Sequence, residues 1–169
     1  MVELTPRERL QPSLLDRLTD QEPDVQQESR DRRVLSPQKL REVVRRDLGW
    51  LFNAINIASV EDLSAYPQVA RSVVNYGLPD LSGRTTSGMD PLQLERMLRQ
   101  VIRDFEPRIL PSTLRVKLVV DESKMSHNAM VFDIEGELWA QPLPLRLYLR
   151  TEVDLEAGEI RVNETAGGG

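Results

Sequence analysis

Among 169 residues there is one histidine, His127, and no cysteine. The absence of thiols excludes disulfides, cysteine nucleophiles, iron–sulfur clusters and cysteine-ligated zinc, and a single imidazole excludes a multi-histidine metal site. A Ser-His-Asp machine would have to use His127, which stands in a polar stretch, Asp121-Glu122-Ser123-Lys124-Met125-Ser126-His127-Asn128. The chain holds no Gly-x-Ser-x-Gly elbow to face it, so His127 reads as a surface-loop residue. Glycoside hydrolysis needs two carboxyl groups about 5–9.5 Å apart across a sugar cleft. Asp104 and Glu106 are the nearest such pair, but residues two apart on a helix point to different faces. Three Phe, three Tyr and two Trp also leave few platforms for a sugar. Residues 81–88 carry two glycines with hydroxyl and basic side chains, yet lack the Gly-Lys-Ser/Thr ending of a phosphate-binding loop. They read as a connection.

The tripeptide Glu106-Pro107-Arg108 is more informative. An acid and a base flank a residue with fixed φ at the exit of an amphipathic helix, so both are held at a defined corner. Two readings stand side by side: a surface ion pair worth about 0–1 kcal/mol, or a pre-organised charged contact that orients a partner protein.

The elements that must position this corner follow from pattern. Ser36-Pro37 is an N-cap followed by proline at the first helical position. Leu40, Val43, Val44, Leu48, Leu51 and Ile55 then recur at helical spacing, with Arg41, Glu42, Arg45 and Arg46 opposite. Ser59-Val60-Glu61-Asp62 has the character of a capping box. Residues 67–75 predict a second helix, with Gly77 as its left-handed terminator. Asp90-Pro91 caps the strongest helix signal, with a buried stripe of Leu94, Met97, Leu98, Val101, Ile102 and Phe105; Glu106, before a proline, ends it. From Leu114 the period changes from 3.6 to 2, through Leu114–Val120, Met130–Leu138, Leu145–Val153 and Ile160–Val162. Helices first and strands afterwards predict an α+β domain, with helices on one face of a mainly antiparallel sheet of about four strands.

Composition fits one such domain. Hydrophobic residues make up 40%, and 22 basic against 27 acidic side chains give a net charge of −5, which argues against non-specific nucleic-acid binding. No stretch approaches the ~20 apolar residues of a membrane helix, and the first residues lack the pattern of a signal peptide. The expected location is the cytoplasm. Residues 20–33 contain one hydrophobic residue, Val25, too little to offset ordering entropy. The expected division is therefore a flexible arm over 1–33, a single domain over 34–163 and a disordered tail over 164–169. Within the arm, Leu14, Leu15 and Leu18 form a short amphipathic patch, either docked on the domain or offered to a partner.

Glu106-Pro107-Arg108 after an amphipathic helix, Asn75-Tyr76-Gly77-Leu78-Pro79-Asp80-Leu81 upstream, and Ser13-Leu14-Leu15-Asp16-Arg17-Leu18 near the start occur together and in order. Over residues 12–163 the chain resembles the TssE family of type VI secretion baseplate subunits, related to the baseplate wedge protein of contractile-tailed phages. Residues 82–89 and those after Val162 match no family motif. The resemblance implies a structural protein without catalytic residues, cofactor or metal, cytoplasmic at the membrane-docked baseplate. It implies as partners the wedge subunits TssF, TssG and TssK and the contractile sheath, whose strands would add to the domain's sheet. It implies no nucleic acid and no membrane insertion. Glu106, Pro107 and Arg108, with Leu14, Leu15 and Leu18, are the implied partner-binding residues, and reversing the charge of Glu106 is expected to block assembly while leaving the domain folded. Strand addition suits an exposed sheet edge, with Arg115, Lys117, Arg146 and Arg150 setting register. The family is also labelled lysozyme-like, which makes a peptidoglycan-cleaving glycoside hydrolase the alternative; a regulatory binding module on the same fold is a third reading.

Overall fold

The Ser36 hydroxyl accepts a hydrogen bond from the Lys39 amide at 3.1 Å, and the Asp90 carboxylate accepts one from Leu92 at 3.0 Å. Each cap is followed by proline, so the two long helices start where the sequence predicts. In the computed structural model, which describes residues 13–19, 35–83, 88, 90–119, 129–140 and 143–165, the helices are α1 (Leu14–Leu18), α2 (Pro37–Phe52), α3 (Pro67–Ala70) and α4 (Pro91–Phe105). The strands are β1 (Arg115–Val119), β2 (Ala129–Leu138), β3 (Leu145–Asp154) and β4 (Ile160–Glu164). They form one antiparallel sheet in sequence order. The fold is α+β, as the change of period predicts.

Register shows which face is inside. Val116, Ile134 and Leu149 lie abreast, as do Leu118, Phe132, Thr151 and Val162, and next to them Met130, Val153 and Ile160. These residues meet Leu40, Val44, Leu48 and Leu51 of α2 and Leu94, Leu98 and Ile102 of α4 in one core. α2 lies along β3 and β4, and α4 along β1. The opposite face alternates charge: Asp133 faces Arg150 in the register, and the two form a double hydrogen bond at 2.8 and 3.1 Å.

Four expectations shift. α2 ends at Phe52, not at Ile55, because Asn53 turns out of the helix: its side-chain amide donates to Ile160 O at 2.8 Å and accepts from Ile160 N at 2.9 Å. The second predicted helix is broken after Ala70, whose carbonyl accepts from the Asn75 side chain, and resumes as a 3₁₀ turn, Val73–Asn75, started by Ser72. Ser59 closes a 3₁₀ turn, Ile57–Ser59, and opens no capping box. β4 runs to Glu164, two residues past the stretch Ile160–Val162 that the alternation predicts, and Thr165 N donates to Tyr148 O. His127, Val120, Arg84 to Ser87 in the 81–88 loop, and residues 20–33 lie outside the described residues.

Gly77 has a positive φ of 117°, but not to terminate a helix. Here the chain crosses the end of α2, where Leu78 N donates to Ala54 O at 2.8 Å and Asn56 N donates to Leu78 O at 2.9 Å. A Cβ at residue 77 would stand 2.2 Å from the Ala54 oxygen. Gly77→Ala should therefore lower stability by at least about 2 kcal/mol, read as a lower urea midpoint; an unchanged midpoint would show that this crossing relaxes.

Candidate partner-binding site

Glu106 is the C-cap of α4, its amide donating to Ile102 O. The chain then turns over Pro107, Ile109 N donates back to Glu106 O at 3.2 Å, and residues 108–110 pair with the end of β2. Leu110 N donates to Glu137 O and Trp139 N to Arg108 O. The proline restricts the turn, and these backbone bonds tie it to the sheet.

The side chains held there form a network. Glu106 is 3% exposed, and its carboxylate accepts the Arg108 amide at 3.1 Å, Arg108 Nε at 2.7 Å and Arg108 Nη2. Arg108 Nη2 also donates to Asp47 Oδ2 of α2 at 2.6 Å. Burial alone would lower the Arg108 pKa, but hydrogen bonds and charge attraction from Glu106 and Asp47 outweigh it and raise the pKa above the ordinary value. The other Asp47 oxygen accepts Arg46 Nε and Nη2 at 2.9 and 2.8 Å. Arg46 stacks over Trp50, 4.7 Å from the ring centroid. The Arg46 and Arg108 side chains are 33% and 28% exposed, and Trp50 is 50% exposed. Trp50, Tyr76 and Phe105 wall a cleft of about 220 Å³ above the network, with Tyr76 packed edge-on to Phe105 at 5.4 Å. Burial raises the Tyr76 pKa, assisted by the Asp47 charge.

α1 sits at this cleft. Asp16 of α1 accepts Arg46 Nη1 at 2.5 Å and Nη2 at 3.3 Å, and Ser13 Oγ donates to Asp16 at 2.5 Å. The hydrogen bond from Arg46 is the main cause that holds the Asp16 pKa below the usual carboxylate range. Leu15, 49% exposed, lines the rim of the cleft, whereas Leu14 and Leu18 are 69% and 75% exposed, and α1 buries no residue. α1 is thus docked on the domain by its acid, with Leu14 and Leu18 exposed. Sequence reasoning singled out the leucines and missed Asp16, Asp47 and Trp50. Tryptophan on the polar face of α2, four residues after Arg46, was the available signal.

A family model described as baseplate wedge protein gp25 matches residues 38–143. The chain belongs to this family, which is that of TssE. Its role is accordingly that of a structural baseplate component of a contractile injection system. No curated protein and no solved structure matches the chain. Among the described residues, no helix is long and apolar enough to cross a membrane.

The strand order makes β1 and β4 the outer edges of the sheet. On β1 the outward Leu118 amide donates to Glu95 at 2.7 Å and the outward Val116 carbonyl accepts Arg99 at 3.3 Å, both side chains coming from α4. On β4, Asn53 occupies both backbone groups of Ile160, and Arg45 donates to Val162 O at 3.4 Å. Alternation turns the Val162 amide and both backbone groups of Glu164 outward too, and these have no partner among the described residues. The carboxylate pair of the hydrolase reading is not brought together: Asp104 is exposed and accepts the Gln100 side chain, whereas Glu106 is buried against Arg108.

With Glu106 buried, its charge reversal should cost stability as well as assembly, because a lysine there would set a second cation against Arg108. Even Glu106→Ala strands the part-buried Arg108 and should cost about 3 kcal/mol, measured by chemical denaturation; a loss under about 1 kcal/mol would place Glu106 with ordinary surface pairs. The Asp16 shift has a defined sign. A lowered folded pKa means that docking of α1 is favoured above the ordinary carboxylate value of 3.8 and lost as pH falls below it. Amide chemical shifts of residues 14–18 should hold steady from pH 7 to about 5, then move toward released values below about pH 4, ahead of shifts in β2 and β3.

Proposed function

We propose that this protein is the TssE-type wedge subunit of a type VI secretion baseplate, cytoplasmic at the membrane-docked apparatus, binding TssF, TssG and TssK and starting the contractile sheath. The single observation that carries the docking reading is the composition of the corner. Two arginines are locked in place by Asp47 and Glu106, with half-exposed Trp50 beside them. Arginine and tryptophan dominate binding energy at protein interfaces, and arginines already held in position lose little entropy when a partner arrives. Glu106 then acts from below: buried, it positions Arg108 and touches no partner itself. This supports docking over sugar hydrolysis, because a buried carboxylate engaged by arginine cannot reach a glycosidic oxygen.

Sheath initiation follows from the edges. A strand arriving from a sheath subunit would pair first with the Val162 amide and Glu164, whose outward backbone groups have no partner among the described residues. To extend further it would have to displace Arg45 and Asn53, and on β1 Glu95 and Arg99. Such side-chain caps discourage indiscriminate edge pairing while yielding to a strand that supplies a full ladder.

Trp50→Ala removes an exposed residue and should leave the unfolding midpoint unchanged. It should weaken capture of co-expressed TssF–TssG by about thirtyfold or more, the effect of losing an interface hot spot of about 2 kcal/mol. Undiminished capture by the variant, or no capture of TssF, TssG or TssK by the natural chain, would overturn the reading.

A further inference from the structure

α1 is docked inside out. A short helix on a protein surface ordinarily covers its leucines and shows its charges, but here the Asp16 side chain is 16% exposed while Leu14 and Leu18 face solvent and Leu15 is only half covered at the cleft rim. Among the described residues its ion pair to the domain is with Arg46, and Leu15 adds only a half-exposed apolar contact at the cleft rim.

That attachment is not independent of the corner. Arg46 is shared between Asp16 and Asp47, and Asp47 is shared between Arg46 and Arg108. Arg108 in turn has one nitrogen, Nη1, without a partner among the described residues, and its side chain is 28% exposed. Three carboxylates against two guanidiniums leave the cluster at −1. A further acid arriving at Arg108 would take it to −2 while Asp16 stays, and back to −1 once Asp16 leaves.

We propose that α1 is a latch released from the corner by an acidic side chain of a partner. Engagement of Arg108 by that carboxylate draws it off Asp47. Asp47 then closes on Arg46, Asp16 loses its hold, and Leu14, Leu15 and Leu18 come away on the arm as a second apolar contact. The coupling is reciprocal: whatever holds the leucines away from the domain also strengthens the hold of Arg108 on an acid. Only the identity of the trigger rests on the docking function proposed above. The coupling belongs to the chain by itself and is tested there, so failure to capture wedge subunits would leave this test intact.

The absence of cysteine makes the experiment direct. Spin labels on Thr19→Cys in the arm and Gln93→Cys on α4, both exposed positions, should give one narrow distance distribution in the otherwise natural chain. Glu106→Gln with Arg108→Gln withdraws Arg108 without leaving an orphaned buried charge. In that background the ratio of docked to released arm should fall about tenfold, the effect of weakening a hydrogen bond between charged groups. Asp16→Asn should give a loss of similar size, and all three substitutions together should do little more than Asp16→Asn alone, because they break one chain of contacts. Hydrogen exchange in β2 and β3 should stay protected throughout. A narrow distribution that survives either the double variant or Asp16→Asn overturns the latch. So does release of the arm only in step with loss of sheet protection.

Discussion

The buried contact between Glu106 and Arg108 is the constraint on which the rest of the corner depends. A carboxylate removed from water must be matched by donors, and Arg108 supplies three from a residue only two positions away. That demand fixes the turn at Pro107. The turn sets residues 108–110 beside the end of β2, and the remaining reach of the guanidinium fastens α2 through Asp47. One ion pair thus joins the ends of α4, α2 and β2. Replacing it by hydrophobic residues of equal volume could serve stability as well; what such a swap would remove is the fixed direction of Arg108.

Fixed direction is what a structural component needs. An assembly platform gains nothing from chemical turnover and much from surfaces that lose little freedom on binding. The network spends two acids on holding two arginines, and the same economy appears at the sheet edges. There α4 lends Glu95 and Arg99 to β1, and α2 lends Arg45, with Asn53 from just past its end, to β4. A sheet with both edges partly occupied by side chains is guarded against random pairing. The amide of Asn53 acts as a short length of strand, donating to and accepting from the same residue of β4.

Much of this was legible in the chain itself. The apolar stripe of Leu94, Leu98 and Ile102, the caps at Ser36 and Asp90, and the two-residue alternation of β1 to β4 are local signals. They are set by the geometry of a single element and survive without knowledge of its neighbours. The motif Glu106-Pro107-Arg108 was legible for the same reason, since acid, turn and base lie within three residues. The misreadings came where another part of the chain intervened. Ile55 continues a helical pattern, but Asn53 leaves the helix because Ile160, more than 100 positions away, offers it two hydrogen bonds. Gly77 resembles a helix terminator, but its positive φ serves the crossing at Ala54.

The sequence by itself determined the fold class, the absence of thiol and multi-histidine chemistry, the element boundaries fixed by caps and proline, and the family motif. Tertiary structure alone decided that Glu106 is buried while Arg108 remains reachable, that Asp16 and not the leucines fastens α1, and that Asp47 joins two arginines. The reason is physical. Periodicity and capping act over one or two helical turns, whereas the protonation, burial and orientation of a charge depend on whichever partners folding brings within a few ångströms.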